Sequence, residues 1–155
     1  MKQVLLGMIL LLGACTGAAL SPVHDPLQAV QRIYTLPDPD FGVFENPERR
    51  VDYYTPRIVA LTAQQEACYK KKFGMDHLDF NYIVPGQDYD ISDLRAKLLR
   101  KDGDDALVQV NFHNGFSPIE MQFHLKNMKR GWLIDNVIYG ESSLQQDLTH
   151  PCGQE

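Results

Sequence analysis

Few side chains in this 155-residue sequence can do chemistry, and their spacing restricts what that chemistry is. Among five histidines, His113 and His124 hold outward positions in two neighbouring runs that alternate with period two. Keeping both apolar faces inward requires paired residue numbers with an odd sum. Sums such as 231 or 233 leave the two imidazoles roughly 10 Å or more apart along the ladder, at ~3.3 Å per residue. Metal ligands must converge to about 2 Å from one ion, so the pair is expected to be solvated and no metal site is expected. Asp76, Asp79, Asp88, Asp90 and Asp93 form an acidic stretch, but without the D-x-[DN]-x-[DN]-G spacing of a calcium loop. Pro85-Gly86-Gln87-Asp88 reads as a turn whose Gln and Asp side chains cap backbone N–H groups. Asp135 stands inside an otherwise apolar run and is the one carboxylate expected near the interior. There it is either an acid/base group or, more commonly, a carboxylate bonded to a neighbouring loop. A nucleophile elbow, a phosphate-binding glycine loop and an H-E-x-x-H motif are all missing, and no cofactor is implied. Three cysteines remain, Cys15, Cys68 and Cys152, without the Cys-x-x-Cys spacing of a redox-active pair.

The elements that must position these residues follow from caps and periodicity. Asp25-Pro26, Asn46-Pro47 and Thr55-Pro56 each pair an N-cap residue with proline at the first helical position. The first helix carries Leu27, Val30, Ile33 and Tyr34 on one face and is ended by Pro37 and Pro39. The second runs through Val51 and Tyr54. The third, with Ile58, Leu61, Gln65 and Cys68 on one side, is closed by Gly74 after Lys70-Lys71-Lys72, a basic last turn that suits the helix dipole. From residue 91 the period becomes two. Leu94, Ala96 and Leu98, then Val108, Val110 and Phe112, then Ile119, Met121, Phe123 and Leu125 alternate with polar residues, and Trp132 to Tyr139 follow. Turn signals at Lys101-Asp102-Gly103-Asp104, Asn114-Gly115 and Lys129-Arg130-Gly131 make this an antiparallel meander. One wet and one apolar sheet face imply α+β, with the N-terminal helices covering the apolar face. Ser142-Ser143 is read as the cap of a last helical turn through Leu148.

Composition narrows the class. Hydrophobic residues make up 44% of the chain and charged ones 23%, enough apolar surface for one folded core. The net charge of −5 and the lack of a basic run argue against nucleic acid as a partner. Lys2 precedes an apolar run from Val4 to Leu12, of the length of a signal-peptide core rather than of a membrane span. Leu12-Gly13-Ala14-Cys15 then resembles the lipobox of bacterial lipoproteins. That resemblance implies a signal peptide over residues 1–14, cleavage before Cys15, and a diacylglyceryl thioether with an N-acyl group on Cys15. Residues 15–25 become a lipidated tether, and residues 26–155 a single α+β domain. Thr16 stands where inner-membrane lipoproteins tend to carry Asp, which points to the outer membrane, facing the periplasm of a Gram-negative bacterium. Loss of Lys2 leaves 14 basic against 20 acidic side chains, moving the net charge from −5 to −6. In that oxidising compartment Cys68 and Cys152 are an even pair, and a disulfide is expected.

The order Asp79-Phe80-Asn81-Tyr82-Ile83, Gln87-Asp88 and then Gly131-Trp132-Leu133-Ile134-Asp135-Asn136-Val137 resembles periplasmic proteins of the domain-of-unknown-function 3828 family, over residues 27–148. The resemblance implies the cone-shaped, nuclear-transport-factor-two-like fold, with helices packed into a curved antiparallel sheet. It transfers no activity. Gln87, Asp88, Trp132 and Asp135 are expected to fix the fold, Trp132 as a core anchor and an aspartate by closing a loop. The leading expectation is a non-enzymatic envelope lipoprotein, held by its lipid, that binds an envelope protein or a small apolar ligand. One alternative is an immunity or inhibitor protein against a toxin or cell-wall hydrolase. The other is an isomerase- or hydrolase-like cone using Asp135.

Overall fold

Asp25, Asn46 and Thr55 cap three helices in the computed structural model, which describes residues 21–39, 41–74, 82–86 and 89–152. Asp25 accepts from the Gln28 N–H at 2.9 Å and opens α1 (Pro26–Gln31). Asn46 accepts from the N–H groups of Glu48 and Arg49 and opens α2 (Pro47–Tyr53). Thr55 opens α3 (Pro56–Phe73), which stops at Gly74 in the left-handed region at φ 71°. The first helix is shorter than its apolar spacing predicts. After Gln31 the chain tightens into a 3₁₀ turn over Ile33–Thr35, where the Thr35 hydroxyl donates to the Arg32 carbonyl at 2.7 Å. Ile33 and Val30 are nonetheless both buried, so the predicted face survives the change of helix type. A π-helical turn over Phe41–Glu45 was not anticipated.

Five strands follow in sequential order, all antiparallel: β1 (Ile91–Asp102), β2 (Asp105–Asn114), β3 (Ser117–Met128), β4 (Gly131–Tyr139) and β5 (Ser142–Ser143). The protein is an α+β fold with helices packed on a curved sheet. In the β2–β3 ladder Val108 faces Phe123, Val110 faces Met121 and Phe112 faces Ile119, an odd-sum register that buries all six. The same register sets His124 opposite Leu107 and His113 opposite Pro118, six positions apart along β2. Ser142-Ser143 forms the short β5 rather than a side-chain cap, and α4 (Leu144–Thr149) begins after it with Leu144 and Leu148 buried.

One strand departs from its pattern. Leu94, Leu98 and Leu99 are 39%, 36% and 41% exposed, and of the alternating set Leu94, Ala96 and Leu98 only Ala96 packs against the core. The cause is position: β1 is the edge of the sheet, and it carries two register shifts, between Ser92 and Arg95 and between Leu98 and Arg100. Bulges of this kind twist an edge away from further pairing. The loop before β1 also surprises, since Tyr82, Ile83 and Val84 are buried beside the acidic stretch.

The end of the segment expected to be tether lies on the sheet. Val23 bridges Gly131 in parallel, the Trp132 N–H donates to the Val23 carbonyl at 2.9 Å, and the indole N–H donates to the His24 carbonyl at 3.1 Å. Only glycine permits this approach: a Cβ at Gly131, whose φ is 91°, would meet the Val23 backbone nitrogen at 2.7 Å and its carbonyl oxygen closer still. Trp132 is 2% exposed and packs in the core. No helix among the described residues is long and apolar enough to cross a membrane.

Candidate functional site

Asp135 owes its position to a bulge. His124 pairs with Asn136 while Leu125 pairs with Ile134, so Asp135 is the extra residue of β4 and its side chain is re-aimed. Three side chains from two other elements converge on it. Thr55 Oγ donates to Oδ1 at 2.8 Å, and Arg57 Nη2 and Gln145 Nε2 donate to Oδ2 at 3.0 and 3.3 Å. The Asp135 carbonyl accepts from the same Arg57 and Gln145 nitrogens. Thr55 is at once the N-cap of α3 and, through its N–H to the Ile134 carbonyl at 2.9 Å, a backbone neighbour of β4. Asn136 continues the join: its Oδ1 accepts from the Ser143 hydroxyl and the Gln145 N–H. Thus one bulge fastens the starts of α3 and α4 to the sheet.

Beside the bulge the wet face of the sheet opens a cleft of about 330 Å³, lined by Arg100, Asp105, His124, Lys126, Asp135 and Asn136 among others. Lys126 forms an ion pair with Asp105, which raises the lysine pKa through that hydrogen bond. His124 is pushed the other way: partial burial lowers its pKa, and the neighbouring Arg100 charge lowers it further, against smaller opposing effects of Asp135 and Asp105. Both effects favour the neutral imidazole.

A second cleft, of about 360 Å³, lies where α3 meets the tail and is lined by Gln65, Cys68, Leu148, His150 and Cys152. Cys68 and Cys152 are joined in a disulfide, with Cα atoms 6.3 Å apart. Gln65 supports it, donating from Nε2 to the Leu148 and His150 carbonyls at 2.9 and 2.6 Å. Tyr82 donates its hydroxyl to Asp147 on α4, and burial with that bond raises the phenol pKa.

Of the residues singled out from sequence, the fold brings Asp135 to the sheet's polar cleft, Trp132 to the core and Cys68 with Cys152 to the tail. Cys15, Gln87 and Asp88 lie outside the described residues, as do Asp76 and Asp79. Sequence reasoning missed Arg57, Gln145 and Arg100. Arg57 and Gln145 read as exposed helix residues, and only the bulge, which leaves no mark in the alternation, turns Asp135 toward them. Among the described residues no group of three or more His, Cys, Asp or Glu is arranged to hold a metal ion. Comparison with known proteins gives no match, either to a family model or to a curated protein.

The bulge makes a direct prediction. Asp135→Ala removes a charge-assisted acceptor from Arg57 and two further bonds, and is expected to cost about 2–3 kcal/mol of stability in urea denaturation. Asp135→Asn keeps an acceptor for Thr55 and should cost about half as much. No loss in Asp135→Asn would mean that the ion pair with Arg57 contributes nothing.

Proposed function

We propose that the chain is a non-enzymatic binding module of the bacterial cell envelope, anchored to the outer membrane by lipid on Cys15 and facing the periplasm. One observation carries the reading: Lys2, the apolar run Val4 to Leu12, and Leu12-Gly13-Ala14-Cys15 fall in the order that lipoprotein processing requires. The fold agrees with such a tether. Cys15 precedes Val23 by eight residues, a reach of roughly 25–30 Å when extended, and Val23 lies at the Gly131 end of the sheet. That end faces the membrane in this reading, while the β2–β3 hairpin with its fully exposed Phe116 points away from it. Binding rather than catalysis is favoured because Asp135, the one acid/base candidate, has both carboxylate oxygens engaged by Thr55, Arg57 and Gln145.

The test is metabolic labelling with palmitate in the native host. The wild-type chain is expected to take up label, to accumulate as a precursor under globomycin, and to fractionate with outer membranes. Cys15→Ala should lose the label and the membrane association together. Label that persists in Cys15→Ala, or no label in the wild type, removes the anchor from the account.

A further inference from the structure

We propose that the cleft beside the β4 bulge binds an oxyanion, a carboxylate or phosphate group carried by a small molecule or at the end of a larger ligand, with Arg100, His124 and Asn136 as its donors. The proposal deepens the binding-module reading by naming the ligand chemistry of its cleft. It rests first on register. Arg100 pairs with Leu107, Leu107 with His124, and His124 with Asn136, so these four residues form one row straight across β1 to β4 on the wet face. Side chains on such a row share a face, and neighbouring strands stand about 4.8 Å apart. Arg100 and His124 therefore flank Leu107 at a backbone separation of roughly 10 Å, which leaves an oxyanion room between a long guanidinium and an imidazole.

The second support is an account of every charge that faces the cleft. On β4, Asp135 is satisfied by Arg57 of α3 and by Thr55. On β2, Asp105 is taken by Lys126 of β3. Among the described residues Arg100 on β1 has no ion-pair or hydrogen-bond partner and is the unspent charge of the group. The guanidinium is a planar fork that matches a carboxylate or phosphate edge with two donors. Asn136 adds a donor of known identity. Its Oδ1 must be the oxygen, because it accepts a backbone N–H from Gln145, so its NH₂ group is the end left over. The Arg100 charge also holds back protonation of His124, and an anion between the two would reverse that effect.

NMR of the full chain carrying Cys15→Ala, in a neutral detergent, tests the site independently of anchoring. The probes are inorganic phosphate and acetate, each against chloride at matched ionic strength. Expected are saturable shifts of the His124 ring, the Arg100 side chain and the Asn136 amide, and a rise of the His124 pKa with phosphate or acetate. His113, on the same face but paired with Pro118 and near Asp93, serves as the internal control and should not follow. Arg100→Gln should weaken binding about tenfold, the loss of one charge-assisted contact. Response to one probe alone identifies the group as phosphate or carboxylate. Equal movement of His113 and His124, or unchanged affinity in Arg100→Gln, overturns the proposal. Binding in a chain that fails the palmitate test would leave this site standing without its membrane, whereas a labelled chain that binds neither anion would retain its anchor and lose the site.

Discussion

Arg50→Ala is expected to lower the free energy of unfolding by about 3–5 kcal/mol, the range for breaking a buried ion pair by removing one partner. Arg50 is only 2% exposed. Its Nε donates to the Phe44 carbonyl at 2.7 Å, and Nη1 and Nη2 donate to the two Glu66 oxygens at 3.2 and 2.6 Å. The guanidinium also lies over the Phe44 ring, 5.3 Å from its centre. One side chain on α2 thus ties together the π-helical turn and α3, and each of its bonds crosses between elements. Truncation leaves the Phe44 carbonyl without this donor and Glu66 partly buried without a cation, and both penalties fall on the folded state. Arg50→Lys should recover little, because an ammonium cannot span the Phe44 carbonyl and both Glu66 oxygens at once. Glu66→Gln should cost less, about 1–2 kcal/mol, since Glu66 is 22% exposed and the amide still accepts one bond. Urea denaturation of the three variants decides the matter. A loss below about 1 kcal/mol in Arg50→Ala would mean that the pair does not recover its own desolvation.

Arg50 also marks where sequence reasoning ends. Caps were legible because an Asp, Asn or Thr before proline acts within its own turn, as Asp25, Asn46 and Thr55 do. The β2–β3 register was legible because burying one face of two alternating strands leaves few ways to pair them. Arg50 was not, since in α2 it resembles its exposed neighbour Arg49, and its partners Phe44 and Glu66 come from segments whose packing the local pattern does not encode. The exposure of Leu94 and Leu98 has the opposite origin. Their alternation is genuine, but period two says only which face a residue takes, not whether the strand lies at the edge or carries a bulge. Asp135 is intermediate: its placement in an apolar run was visible, while the bulge that hands it to Thr55, Arg57 and Gln145 was not. Local chemistry was readable, and contacts that depend on how elements cross were not.

The disulfide is a long-range contact that was readable, because its two sulfurs are the even pair left once Cys15 is assigned to lipid, and its removal is the second large effect expected. Cys68 on α3 and Cys152 beyond α4 are 84 residues apart in sequence. On the chain-entropy model a cross-link of that span destabilises the unfolded chain by about 4–5 kcal/mol. The tail it secures has other fastenings: Gln65 donates to two of its carbonyls, Lys72 donates to the Cys152 carbonyl, and Leu148 is buried. These contacts remain after reduction, so the loss should appear as lower global stability rather than as a displaced tail. The double variant Cys68→Ala/Cys152→Ala is therefore expected to keep the wild-type fold by circular dichroism while losing about 3–5 kcal/mol in urea. Reductant should bring the wild type to the same midpoint and leave the variant unmoved. Because the cross-link acts on the unfolded chain, refolding should slow more than unfolding accelerates wherever the closed loop helps form the transition state. Gln65→Leu, which removes both side-chain bonds to the tail, separates the two contributions. In the native protein the disulfide keeps the tail near its site and the substitution should cost little. In the cysteine-free variant the Gln65 bonds carry a larger share of holding the tail, beside Lys72 and buried Leu148, so reduced hydrogen-exchange protection at residues 148–150 is expected there and not in the cross-linked chain. Equal protection in the two backgrounds, with a reductant-insensitive midpoint, would show that the sulfurs contribute nothing beyond proximity.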